Sequence, residues 1–150
     1  MKPHPGLILA AGLLLAADQP TQDLSKQSAA LEGTWSVVAM QFKGKKVPNE
    51  VFANTRLVIG PGTIITMKGK KLIKSTGYKL RPRLQPKGID LFPLTKGSKG
   101  QKLWGIYALD GDTLRLCAPD VNAKQSRERP KEFATKPDSE LILMVLKREK

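Results

Sequence analysis

Residues 105–117, with the sequence GIYALDGDTLRLC, decide the fold that this chain is expected to adopt. Two runs of alternating apolar residues flank Asp110-Gly111-Asp112, and Gly beside Asp readily takes the positive φ angles of a tight hairpin turn. A two-residue turn here groups one uncharged set of side chains on a single face, namely Gly105, Tyr107, Leu109, Leu114 and Leu116. The opposite face carries the cationic Arg115, so we expect the uncharged face to point inward.

The same pattern continues on both sides of this hairpin. Short β-branched and apolar runs alternate with Gly and Pro breakers, which is typical of an all-β barrel or sandwich. Eight strands are predicted, over residues 34–42, 55–60, 63–68, 71–80, 88–93, 102–109, 113–118 and 141–148. We expect an antiparallel, up-and-down barrel in which alternate loops share an end.

The first residues are expected to be a targeting signal. An apolar run spans residues 6–17 and follows Lys2, but its twelve residues fall short of the roughly 18 that a membrane span needs. We therefore predict a signal peptide over 1–17, a linker or short helix over 18–30 and a barrel domain over 31–150. The predicted location is extracytoplasmic, periplasmic or secreted, with no transmembrane segment after cleavage.

Composition excludes several kinds of chemistry. The 150-residue chain has a net charge of +13, a single His (His4) and a single Cys (Cys117), so no intrachain disulfide can form. No catalytic residue, metal site or cofactor is predicted, because no histidine lies in the body of the chain. Cys117 is expected to be a half-exposed, inert thiol, and Asp90, which alternates with Ile89 and Leu91, is expected to point outward into solvent.

Four stretches of the chain resemble a lipocalin-like domain family of unknown function that is found in planctomycete bacteria. They are LEGTWSVV at 31–38, GIYALDGDTLRLC at 105–117, RPKEFATKP at 129–137 and LILMVLKRE at 141–149. The resemblance implies a small β-barrel with no established activity and no catalytic residues. In lipocalins, a Trp after a Gly in the first strand packs at the closed end of the barrel beneath an Arg that follows the last strand. Gly33, Trp35 and Arg148 occupy the matching positions here, so a structural role is implied for them.

The connection over residues 119–140 is too long to be structureless in a compact domain. It contains Pro119, Pro130 and Pro137, and Phe133 is its single aromatic residue. We therefore expect Phe133 to anchor this connection against the outer face of the barrel, near Trp104.

Charge is distributed unequally between the two ends of the predicted barrel. The loops at the end opposite Trp35 carry a net charge of +6, against +1 at the other end. This predicts a basic mouth, with Lys45, Lys70 and Lys96 at the tips of three loops, that attracts an amphipathic anion or an anionic polymer. The alternative is that these lysines only keep the protein soluble and protect strand edges.

Two functions remain open from the sequence. One is a non-enzymatic binding module for a small apolar or amphipathic anionic ligand, or for a partner, with a pocket lined by the inward side chains Tyr107, Leu109, Leu114 and Leu116. The alternative is a structural or interaction barrel whose interior is filled by its own side chains. Nucleic-acid binding is not expected, because no strand shows a cluster of exposed aromatic residues on which bases stack. The oligomeric state is left open.

Overall fold

The computed structural model describes residues 20–94, 100–123 and 128–150, and its dominant feature is a closed β-barrel. The elements follow one another in the order α1 (Pro20–Leu31), β1 (Gly33–Phe42), β2 (Lys45–Lys46), α2 (Asn49–Phe52), β3 (Thr55–Gly60), β4 (Thr63–Lys68), β5 (Lys71–Arg81), β6 (Gly88–Pro93), β7 (Leu103–Asp110), β8 (Thr113–Pro119) and β9 (Leu141–Arg148). The expected all-β architecture with a short N-terminal helix is confirmed.

The barrel closes because β1 has an antiparallel partner on both sides. Consecutive strands pair from β3 to β9, and β1 pairs with β3 along one edge and with β9 along the other. Eight strands form the closed barrel, and β2 extends it as a short ninth strand in the segment between β1 and β3. That segment was predicted to be a loop and also contains α2.

The hairpin that suggested the fold has the predicted register. Asp110 pairs with Thr113, so Gly111 and Asp112 form a two-residue turn, and Gly111 has the expected positive φ of 56°. Leu109 lies opposite Leu114. The two strands are therefore aligned as the alternation of apolar residues predicted.

One end of the barrel, which we call the sealed end, is covered by α1. The Trp35 side chain there is completely buried, and its indole Nε1 donates a 2.9 Å hydrogen bond to the carbonyl of Leu31 at the end of the helix. The guanidinium of Arg148 lies 4.2 Å from the centre of the Trp35 ring. Trp35 and Arg148 are also directly paired across β1 and β9, so both strand register and side-chain stacking hold them together.

Arg148 also caps the C-terminus of α1. Its two Nη atoms donate 2.8 Å hydrogen bonds to the carbonyls of Ala30 and Glu32, which a helix end otherwise leaves without partners. Gly33 makes this close approach possible, because it has a φ of +136° and a Cβ there would lie 3.0 Å from an Arg148 Nη atom. Gly33, Trp35 and Arg148 therefore form one structural unit.

The connection between β8 and β9 lies against the outside of the barrel, and we call its described residues, 120–123 and 128–140, the strap. Phe133 packs on an outer cluster of Ile106, Cys117 and Leu143, and the Arg115 guanidinium lies 4.5 Å from the centre of its ring. Phe133 is thus an anchor as expected, with Arg115 stacked on its ring.

The outer face is more buried than strand alternation predicted. Cys117 was expected to be half-exposed, but both it and Ile106 are fully buried. They do lie on the outer face, and the strap covers them there. Strand alternation predicts which face of the sheet a side chain lies on, but it does not predict whether a segment distant in sequence covers that face.

The seal predicts that the two tryptophans of the chain contribute very differently to the free energy of unfolding. Trp35→Ala is expected to lower the free energy of unfolding by about 3 to 5 kcal/mol, because it leaves a cavity and removes the surface on which Arg148 stacks. Trp104→Ala is the matched control, since this side chain is 37% exposed, and it should cost less than half as much. Urea unfolding of both variants measures the difference. Equal losses of unfolding free energy in the two variants would contradict the sealing role of Trp35.

Candidate functional site

Most of the barrel interior is filled by its own side chains, and one small cavity remains towards the mouth, the end opposite the seal. The cavity has a volume of about 70 Å³. Phe52 of α2 is buried in the core beside this cavity region but is not one of the residues that line the cavity. The lining is mainly apolar and comes from Leu57, Ile64, Thr66, Lys74, Thr76, Ile89, Leu91, Leu103, Leu116, Ala118, Pro119, Asp120, Val121, Ile142 and Met144.

Lys74 is the cationic side chain of this cavity. It lies on β5, is half-buried, and pairs directly with Thr66 of β4, which also lines the cavity. Within the described ranges, no carboxylate lies within ion-pairing distance of its ammonium group. A lysine at the mouth of a largely apolar cavity can pair with an anion. The apolar lining of the cavity can then contact the part of the ligand that is attached to that anion.

Sequence reasoning missed Lys74, although a signal for it was present. Tyr78 and Leu80 are buried in the core, and alternation along β5 puts Thr76 and Lys74 on the same inward face. The predicted mouth was assembled from loop charges alone, so a charged residue within a strand was not considered.

Asp120 is the acidic side chain of the same cavity. It begins the strap, and its backbone amide donates a 2.9 Å hydrogen bond to the carbonyl of Glu140. It opposes the field of Lys74, so the rim of the cavity carries one charge of each sign. Thr66 and Thr76, both nearly buried, add hydroxyl groups below the rim.

Of the four residues predicted to line a pocket, Leu116 alone lines this cavity. Tyr107 and Leu114 are buried in the core, and Leu109 packs against it. The Tyr107 hydroxyl lies 3.4 Å from the side chain of Gln27 in α1, which places it near the sealed end. The prediction was wrong for these three because the Asp110–Thr113 turn is itself at the sealed end, so the side chains nearest the turn lie farthest from the mouth.

The predicted basic residues of the mouth fall in two groups. Lys45 lies in β2 and Lys70 in the turn between β4 and β5, and both are exposed at the mouth. Lys96 lies outside the described residues. Neither Lys45 nor Lys70 lines the cavity, so they belong to the surface around it.

The outer wall contains a buried carboxylate that was expected to face solvent. Asp90 lies on the outer face of β6, but its side chain is only 7% exposed, because the strap brings Arg129 onto it. Arg129 donates hydrogen bonds of 2.6 Å to Asp90 and 2.8 Å to the carbonyl of Gly105. Gly88 leaves room for this guanidinium, since a Cβ there would lie 2.8 Å from an Arg129 Nη atom.

The second basic partner of Asp90 is Arg81, whose Nε lies 2.9 Å from the carboxylate. Burial raises the pKa of the Asp90 carboxyl, but the hydrogen bonds from Arg129 and Arg81 outweigh burial, so this pKa lies below its ordinary value. A carboxylate held as an anion by two guanidinium groups is a poor general acid or base near neutral pH. The arrangement fastens the strap to the barrel.

Cys117 is equally unsuited to chemistry. Burial raises the pKa of its thiol to about 11, so the group is protonated at neutral pH and is not a nucleophile. Its Sγ lies 3.8 Å from the carbonyl of Ala134 in the strap. The half-exposed position expected for Cys117 was wrong, because the strap covers this part of the outer wall.

A larger depression of about 810 Å³ lies outside the barrel along the strap. Four basic and four acidic residues line it, so their charges cancel: Lys43, Glu128, Arg129, Lys131, Glu132, Lys136, Asp138 and Glu140. It is wide and open, with no excess of either charge. The cavity with Lys74 is smaller and also carries one charge of each sign, but its lining is mainly apolar, so it can contact the apolar part of a ligand whose anionic group pairs with Lys74.

Within the described ranges, no three His, Cys, Asp or Glu side chains are grouped as a metal ion would require. In the same ranges, neither helix has the length and apolar character needed to cross a bilayer. No protein-family model, curated protein or solved structure matches this chain. The resemblance to planctomycete lipocalin-like domains therefore stays a prediction.

The buried carboxylate predicts a pH-dependent contribution to stability. Asp90→Asn is expected to lower the free energy of unfolding by about 2 kcal/mol at neutral pH, the size of one charged hydrogen bond. Because the pKa of Asp90 is lowered in the folded state, its contribution is complete above the unfolded pKa of about 3.9 and is lost as the pH falls through the folded pKa. Urea unfolding at neutral pH and at about pH 3 should therefore show that the difference in stability between the wild type and Asp90→Asn is smaller at the acidic pH.

The matched control is Asp112→Asn, an exposed carboxylate that pairs with Arg148 and Lys150. Its loss should cost about 1 kcal/mol or less, as exposed ion pairs do. If Asp90→Asn were no more destabilising than this control, the clamp between strap and barrel would be refuted.

Proposed function

We propose that this protein is an exported, non-enzymatic binding module that takes up the apolar end of an amphipathic anion at the mouth of its barrel. Lys74 carries this proposal, because it points into the only part of the described barrel interior where we find a cavity. Its ammonium group would contact the anionic head, and the apolar lining below would contact the first carbons of the tail.

The size of the cavity limits what can enter. A cavity of about 150 Å³ holds a benzene ring, so about 70 Å³ has room for roughly three carbon atoms. The proposed ligand is therefore a short-chain carboxylate, or a larger amphipathic anion of which only the apolar tip enters. A whole long-chain fatty acid would not fit inside the barrel as it stands.

Three observations favour binding over catalysis and an extracytoplasmic location. Two of the described ionisable groups have shifted pKa values, and both serve structure: Asp90 is neutralised by two arginines, and Cys117 is a buried thiol. The apolar run over 6–17 has the length of a signal-peptide core. A filled, sealed barrel also suits a protein that must stay folded without disulfides.

Butanoate is the probe that tests this proposal, because its three carbons beyond the carboxylate match the cavity. Titration followed by amide NMR shifts should give a Kd of about 1 mM, since so small a ligand makes few contacts. The shifts should concentrate on residues that line the cavity, such as Leu116 and Met144. Lys74→Met should weaken binding by about tenfold or more.

The control is Lys79→Met, which removes a lysine from the same strand that is exposed on the opposite face. It should bind butanoate like the wild type. Asp120→Asn should bind about threefold more tightly, because it removes the negative charge at the rim. No shifts at the cavity in the wild type, or equal affinities for Lys74→Met and Lys79→Met, would refute the proposal in favour of a filled structural barrel.

A further inference from the structure

The most exposed apolar side chains of the described residues are gathered at one end of the barrel. Among nine exposed large apolar side chains, the four with the greatest exposure are Leu94 at 60%, Val51 at 57%, Leu72 at 56% and Ile73 at 46%. All four lie in or next to the loops of the mouth. The other five are spread over the barrel wall and the sealed end.

These four side chains follow one another around part of the rim. Lys68 donates a 3.3 Å hydrogen bond to the carbonyl of Val51, and Lys68 pairs with Lys71, which precedes Leu72 and Ile73. A register shift in the β4–β5 pair at this point disturbs the alternation, and both Leu72 and Ile73 are exposed.

Leu94 continues the row on the next strand. Its backbone amide donates a 3.1 Å hydrogen bond to the carbonyl of Ser75, two residues after Ile73. Lys74, the cation of the cavity, lies between Ile73 and Ser75. The exposed apolar row therefore lies at the same end of the barrel as the cavity.

Lysines surround this row. The loops and strand ends of the mouth that the structure describes contain six lysines and one glutamate between β1 and the start of β5: Lys43, Lys45, Lys46, Glu50, Lys68, Lys70 and Lys71. Apolar side chains that project among lysines are suited to the interface of an anionic bilayer, where the side chains enter the acyl boundary and the ammonium groups contact lipid headgroups.

We infer that the rim of the mouth docks on an anionic lipid bilayer, with Val51, Leu72, Ile73 and Leu94 inserted and the surrounding lysines on the headgroups. This inference rests on the proposed function, because docking in this orientation turns the opening beside Lys74 towards the lipids, which are themselves amphipathic anions. An anionic polymer would engage the lysines equally well. Binding of an anionic polymer would not use the four exposed apolar side chains at this end of the barrel.

Co-sedimentation with lipid vesicles tests the docking. The protein should bind vesicles that contain about 30% phosphatidylserine or phosphatidylglycerol, and should bind pure phosphatidylcholine vesicles at least about tenfold more weakly. Binding should weaken between about 0.05 M and about 0.5 M salt, because salt screens the lysines. Heparin at the same charge concentration is the competing polymer, and it should not abolish binding to the anionic vesicles.

Paired variants separate insertion from general stickiness. Leu72→Ser/Ile73→Ser should weaken vesicle binding by about tenfold, whereas Val38→Ser/Val58→Ser, which removes exposed apolar side chains from the barrel wall, should leave it unchanged. Lys70→Gln/Lys71→Gln should weaken binding by about tenfold or more, and the control Lys26→Gln/Arg83→Gln, at the sealed end, should not. Circular dichroism confirms that each variant is folded before it is compared.

The outcomes distinguish this inference from the proposed function. Lys74→Met should lose butanoate but keep most of its vesicle binding, and Leu72→Ser/Ile73→Ser should show the reverse. Absence of vesicle binding by the wild type, equal binding by the two apolar double variants, or binding to heparin alone would overturn the docking inference. None of these results would bear on whether butanoate enters the cavity.

Discussion

The stacking of Arg148 on Trp35 is the interaction on which the rest of the structure depends. It joins the first strand of the barrel to the last, and the same guanidinium binds two carbonyls at the end of α1. A single side chain thereby reinforces the β1–β9 pairing that closes the barrel and holds the end of the helix that covers the sealed end. Gly33 suits the position beside it because its φ is +136°, and a Cβ there would lie only 3.0 Å from an Arg148 Nη atom.

This seal gives the two ends of the barrel different properties. At the sealed end, the side chains of Trp35, Leu31 and Leu146 are almost or completely buried. At the mouth, the small cavity that Lys74 lines lies among side chains of the barrel strands. The function proposed for the protein follows from this difference, because a ligand has access from the mouth and meets a charge there.

Strand positions could be predicted from the sequence because they depend on local alternation and on turn residues. The hairpin around Gly111 has the predicted register, and the predicted strands agree with the observed ones to within one residue at each end. The inward direction of Lys74 follows from the same alternation along β5.

What could not be predicted depends on contacts between distant parts of the chain. The burial of Cys117 and Asp90 requires the strap, which lies across the outer wall and brings Phe133 and Arg129 onto them. Alternation also cannot say how far along the barrel axis an inward side chain lies, and for this reason Tyr107 and Leu114 were wrongly assigned to a ligand pocket. The volume of the cavity depends on how side chains from several strands and the start of the strap pack together, and no local pattern of residues predicts that.

The function proposed above requires a barrel that is open to a ligand at the Lys74 end and closed at the Trp35 end. Nuclear Overhauser effects between the methyl group of unlabelled butanoate and the methyl groups of isotope-labelled protein measure this directly. The account predicts contacts to Leu57, Leu116 and Met144, which line the cavity, and none to Leu31 or Leu146, which are buried near the seal. Contacts to Leu31 or Leu146, or contacts confined to the outside of the barrel, would contradict it.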